Sequence, residues 1–145
     1  MRIRAIKPEF FLHHSLFRAE VETGLPLRLA FIGLWCAADR DGRFKWEPER
    51  LGVEILPYDK VDFSRVLDAL TTRGYLEKYR CQSWIFGCIP SFLKHQHINP
   101  KERPSQIPNK SEGEMLTVED KELTTRESRV NHAIPDLEYP FAQEG

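Results

Sequence analysis

The sequence predicts a mainly α-helical domain closed by a small β-hairpin, and three observations carry that prediction. Apolar residues recur at helical spacing through several stretches before Gly74. Two runs rich in aromatic and branched residues follow, Tyr75 to Arg80 and Trp84 to Ile89, joined by Cys81-Gln82-Ser83. Near Pro100 the composition changes. Residues 1–100 hold 15 Lys or Arg and 12 Asp or Glu, whereas residues 101–145 hold 6 and 10. Only Tyr139 and Phe141 are aromatic in the latter segment. The 145 residues therefore divide into a folded domain over 1–100 and an acidic segment over 101–145, expected to be disordered or ordered by a partner.

The elements follow in order. Pro8 to Glu20 has the apolar residues Phe10, Phe11, Leu12, Leu16 and Phe17 of a short helix. Thr23-Gly24-Leu25-Pro26 is a turn and a helix start. The helix from Pro26 to about Ala38 is apolar almost all round, which predicts burial at the centre of the domain. Asp39-Arg40-Asp41-Gly42 is a turn, and Arg43-Phe44-Lys45-Trp46 alternates as a very short strand does. Pro48 suits the first position of a helix that buries Leu51, Ile55 and Leu56. A third core helix runs from about Lys60 to Arg73, capped by Asp59 or Asp62. It buries Phe63, Val66, Leu67 and Leu70 and stops at Gly74. The order helix, short strand, helix, helix, strand, strand is that of a winged helix, a helix-turn-helix with a hairpin wing.

Composition narrows the function. The net charge of -1 argues against a polycation that coats nucleic acid by charge alone. The longest nearly unbroken apolar run, Leu29 to Ala38, is too short for a bilayer, which takes roughly 20 residues. The basic N-terminus lacks a following apolar stretch, so no signal peptide is expected. A cytoplasmic protein in a host cell follows, with its three cysteines reduced and no membrane partner.

Three segments also resemble a known family: Ile3-Arg4-Ala5-Ile6-Lys7-Pro8-Glu9-Phe10; Leu29-Ala30-Phe31-Ile32-Gly33-Leu34-Trp35 with Ala38-Asp39-Arg40-Asp41-Gly42-Arg43; and Phe92-Leu93-Lys94-His95-Gln96-His97-Ile98-Asn99-Pro100 with Ser105 and Pro108. They are similar to the opening domain of phage replisome organizer and phage replication proteins. The resemblance covers about 1–108 and implies a winged helix acting in phage or prophage replication. Members often continue into a helicase-contacting domain or an endonuclease module; here only the acidic segment follows.

On this reading the third core helix enters the major groove. Its outward face holds Ser64, Arg65, Asp68, Thr71, Thr72 and Arg73. Arg65 is placed to read guanine, and Thr71 or Thr72 to meet phosphate. Asp59, Asp62 and Asp68 oppose this by repelling phosphate. Lys78, Arg80 and Gln82 form the wing, where an alternative role is the charge that protects an edge strand. Lys94, His95, His97, Lys101 and Arg103 make the densest basic cluster. With Arg2, Arg4 and Lys7 they form one positive patch if the two ends of the domain meet. The competing expectation is that Arg2 and Arg4 pair with nearby carboxylates.

No cofactor, metal or catalytic residue is expected. His13-His14, His95-x-His97 and Cys36, Cys81 and Cys88 lack the paired spacing of a zinc site. No phosphate loop or nucleophile elbow occurs. The expected function is duplex DNA binding in replication initiation or its control. The alternative is a small phage-encoded inhibitor that grips a host replication protein or a nucleic-acid-guided defence complex, its acidic segment imitating nucleic acid. Helix-turn-helix proteins often form homodimers, but no residue here marks a dimer surface.

Overall fold

The computed structural model describes residues 1–118. Its order is a 3-10 helix (Pro8–Leu12), α1 (His14–Thr23), α2 (Leu27–Ala37), β1 (Arg43–Lys45), α3 (Pro48–Ile55), α4 (Phe63–Thr72), β2 (Glu77–Cys81), β3 (Trp84–Cys88), α5 (Phe92–His95), a 3-10 helix (Lys110–Glu112) and β4 (Glu114–Leu116). The strands form one antiparallel sheet in the order β1-β3-β2-β4, so the fold is mixed α/β.

The expected helix over Pro8 to Glu20 is broken at His13. That residue is extended, and its Nδ1 accepts the Leu16 amide at 3.2 Å, so it caps α1. The turn before it stays a short 3-10 helix. α2 buries Leu27, Ala30, Phe31, Leu34 and Trp35 and packs against α1, α3 and α4, the central place its composition predicts. Of the two proposed caps for α4, Asp62 is the one used: its Oδ1 accepts the Ser64 amide at 3.0 Å. α4 ends in a Schellman motif. Gly74, at φ 84°, donates to Thr71 O, and Tyr75 donates to Leu70 O.

The sheet corrects the expectation of a small hairpin alone. β1 pairs with β3 through Arg43 opposite Cys88, Phe44 opposite Gly87 and Lys45 opposite Phe86. β2 and β3 form the expected hairpin around Gln82-Ser83, with Cys81 inside β2 opposite Trp84. β4 then adds to the far edge of β2, setting Lys78 opposite Leu116 and Arg80 opposite Glu114.

Residues 101–118 are therefore part of the fold, and the boundary at 100 is moved outward. The physical reason lies in β3, whose Trp84-Ile85-Phe86-Gly87-Cys88 is buried throughout. One face, with Ile85 and Ile89, joins the helical core of Leu16, Leu34, Leu51, Val66 and Leu70. The other face carries Tyr79, Cys81, Trp84, Phe86 and Cys88 and needs its own cover. Ile107 supplies it, while Tyr79 donates its hydroxyl to Pro108 O at 2.7 Å. Positions 119–145 of the expected acidic tail lie outside the described residues.

Candidate nucleic-acid interface

On α4, Phe63, Val66, Leu67 and Leu70 face inward as the spacing predicts. Arg65 and Thr72 are exposed, and the Arg65 side chain has no ion pair or hydrogen-bond partner among the described residues. The other outward groups are more constrained. Thr71 returns its hydroxyl to Leu67 O at 2.7 Å. Arg73 donates to Ala69 O at 3.1 Å and lies 3.5 Å from Glu22 on α1.

The wing residues correct the expectation most. Lys78 is only 3% exposed, with its ammonium 4.9 Å from the centre of the Trp46 ring, so it cannot reach a phosphate from the folded state. It sits on an inner strand because β4 covers what the hairpin alone would leave as an edge. Arg80 pairs with Glu114 of β4, which neutralises its charge. The hairpin tip is Gln82-Ser83 and carries no cation.

The two ends of the expected domain do meet, but Arg2 and Arg4 are consumed in the meeting. Arg4 grips Glu102 through two hydrogen bonds of 2.8 and 2.9 Å and donates to Trp35 O and Ala38 O. Its guanidinium also lies over the Phe92 ring at 5.1 Å. Arg2 stands 3.1 Å from the same carboxylate, and Arg40 donates to Glu102 O at 3.0 Å. The Arg4 hydrogen bonds, above all, hold the Glu102 carboxyl below its ordinary range. These arginines clamp the chain, which is the competing expectation for Arg2 and Arg4, pairing with a nearby carboxylate.

Lys7, Lys94 and His95 remain exposed. Lys7 and His95 stand at the mouth of a cleft of about 410 Å³ lined by Phe10, His13, Phe31, Trp35, Tyr75 and Phe92, among others. Gln96 closes one side of it; its amide exchanges hydrogen bonds of 3.0 and 2.9 Å with the backbone of Ala5. Sequence reasoning missed this cleft. Its only local signal is the density of aromatic residues around Phe10 and Trp35, which helical spacing assigns to the core.

Asp39 shapes the turn after α2. Its carboxylate accepts the amides of Asp41 and Arg43 and the hydroxyl of Ser105. Burial, the dominant influence, still raises its pKa. The cysteines are free thiols. Burial, reinforced by Glu77, pushes Cys88 up to about 11, the reverse of what a nucleophile needs. No group of three His, Cys, Asp or Glu among the described residues is placed to hold a metal. No helix among them is long and apolar enough to cross a membrane.

Compared with protein-family models, curated proteins and solved structures, the chain matches none.

Proposed function

We propose that this chain is a winged-helix protein that binds duplex DNA through the exposed face of α4 and serves phage or prophage replication initiation or its control. The observation that carries the reading is the arrangement around α4. The order α2, β1, α3, α4, β2, β3, with β1 paired to β3, is compatible with a winged helix and supports reading α4 as the second helix of a helix-turn-helix. The Arg65 guanidinium projects from it without a partner among the described residues. Thr72 lies on the same helix, Lys7 and Lys94 supply further positive charge elsewhere, and His95 adds an exposed imidazole.

The replication role rests on the family resemblance, and one structural fact supports it. The three resembling segments touch: Arg4 bonds to Trp35 O and Ala38 O, and Ala5 bonds to Gln96.

Fluorescence anisotropy with a labelled duplex over a salt series tests the reading. The logarithm of affinity falls with the logarithm of salt, and Arg65→Ala flattens that slope by about one. Arg80→Ala leaves it unchanged, because Glu114 already holds that charge. Binding indifferent to salt, or to loss of Arg65, overturns the proposal.

The second reading, a protein-binding inhibitor, is favoured by a different observation. Phe11, Leu12, Phe17 and Val21 are exposed along the first 3-10 helix and α1. A stoichiometric host protein that stays bound after nuclease treatment, with no duplex affinity, selects that reading instead.

A further inference from the structure

We propose that the cleft between the N-terminal segment, α2 and α5 binds one nucleotide unit, a nucleobase with its phosphate. This site is separate from the α4 face and does not depend on it.

The walls fit a flat aromatic guest. Phe10 meets Trp35 edge-to-face at 5.2 Å, Trp35 meets Phe31 at 5.4 Å, Phe31 meets Tyr75 at 5.5 Å, and Tyr75 meets His13 at 5.6 Å. Phe31 and Trp35 are buried and form the back of the cleft, so the ring surface on which a base can stack is that of Phe10 and Tyr75. Phe10 and Tyr75 are half-buried, so solvent reaches them. The volume, about 410 Å³, is that of a small-molecule pocket. Its opposite wall is fixed in place, because the Gln96 amide is bonded in both directions to Ala5.

The mouth offers hydrogen-bond donors to the guest. Lys7 comes from the N-terminal segment and His95 from the end of α5, and both line the cleft. Neither has an ion-pair partner among the described residues. A phosphate there gains the Lys7 ammonium and the His95 imidazole as donors from separate elements. Glu9 also lines the cleft and is an acceptor suited to the exocyclic amine of adenine or cytosine. An aromatic floor, an ammonium and an imidazole donor at the mouth and one carboxylate acceptor together suit a base carrying a phosphate. The source is a free nucleotide or the unpaired end of a DNA strand.

The test uses the full chain and titrates dAMP, deoxyadenosine, inorganic phosphate and a short 5′-phosphorylated single-stranded oligonucleotide. Tryptophan fluorescence is the readout, since Trp35 lines the cleft. We expect saturable binding of dAMP. The double variant Lys7→Ala, His95→Ala weakens dAMP about tenfold, the loss of roughly one charge-assisted contact, and leaves deoxyadenosine unchanged. Phe10→Leu weakens both. Lys7 and His95 are exposed, so the double variant keeps the fold, and its circular dichroism checks this. Arg65→Ala leaves dAMP binding intact, which separates failure here from failure of the duplex-binding proposal. An oligonucleotide that outcompetes dAMP identifies the strand end as the source; equal affinity identifies the free nucleotide. Absence of saturable dAMP binding, binding indifferent to the double variant, or binding of an acidic aromatic peptide in place of dAMP overturns the proposal.

Discussion

Removing Arg4 is the most informative single perturbation of this fold. Its side chain is 5% exposed and ties the first residues of the chain to Glu102 and to the end of α2. Arg4→Ala deletes two charge-assisted bonds to Glu102, two bonds to backbone carbonyls and the contact over Phe92. Removing one member of a buried ion pair costs about 3–5 kcal/mol. Glu102 keeps Arg2 at 3.1 Å, and its side chain retains 13% exposure, so the lower end applies. The expected loss is about 3 kcal/mol, or about 10–18 °C in melting temperature for a domain of this size. Urea unfolding at neutral pH, followed by tryptophan fluorescence, measures it as a lower midpoint with an unchanged slope. Arg4→Lys recovers less than half, because an ammonium cannot serve the carboxylate and two carbonyls in one plane. A loss under about 0.5 kcal/mol, the range of an ordinary surface substitution, refutes the clamp. The clamp also has an acid signature. The Glu102 carboxyl lies below its ordinary 4.5 in the folded state, so its contribution is whole above 4.5 and disappears as pH falls through the folded value.

Asp39 carries the opposite sign. Burial raises its carboxyl above the ordinary 3.8, so its contribution is whole below 3.8 and is lost as pH rises through the folded value. Asp39→Asn removes that ramp, so variant-minus-wild-type stability climbs with pH across the acid range; melts that show a constant difference rule out the assignment. Gln82 holds φ 60° at the first turn position of the β2–β3 hairpin. Gln82→Gly relieves that conformation and raises stability by about 0.5–1 kcal/mol, seen as a higher urea midpoint; a lower midpoint contradicts the strain. Leu116, buried in the main core from β4, loses about 2–3 kcal/mol on change to Ala. A neutral result in the same urea assay detaches β4 from the fold.

The helical half of the fold was legible because its signals are local. The α2 and α4 apolar faces, the Asp62 cap and the Gly74 stop each lie within one element, and the structure has them where the spacing predicts. The sheet was half legible. Trp84 to Ile89 reads as a strand, yet its unbroken apolar run also says that both faces are covered, and what covers the second is a distant Ile107. The candidate site was least legible. Arg4 and Glu102 are 98 positions apart, and nothing near Arg4 marks it as an internal clamp rather than a ligand for phosphate. Lys78 misleads for the same reason: only the pairing of β4 turns an edge residue into an inner one. Arg65 was readable because a helix face exposed on one side needs no distant partner to define it.

The two outer strands of the sheet, β1 and β4, are each three residues long. Strand addition requires a longer unpaired ladder, so the sheet has little to offer an extended peptide and little tendency to stack edge-on with its own copies. Among the described residues, the surface open to a partner is therefore that of helices and loops, and single substitutions there leave the β-scaffold untouched.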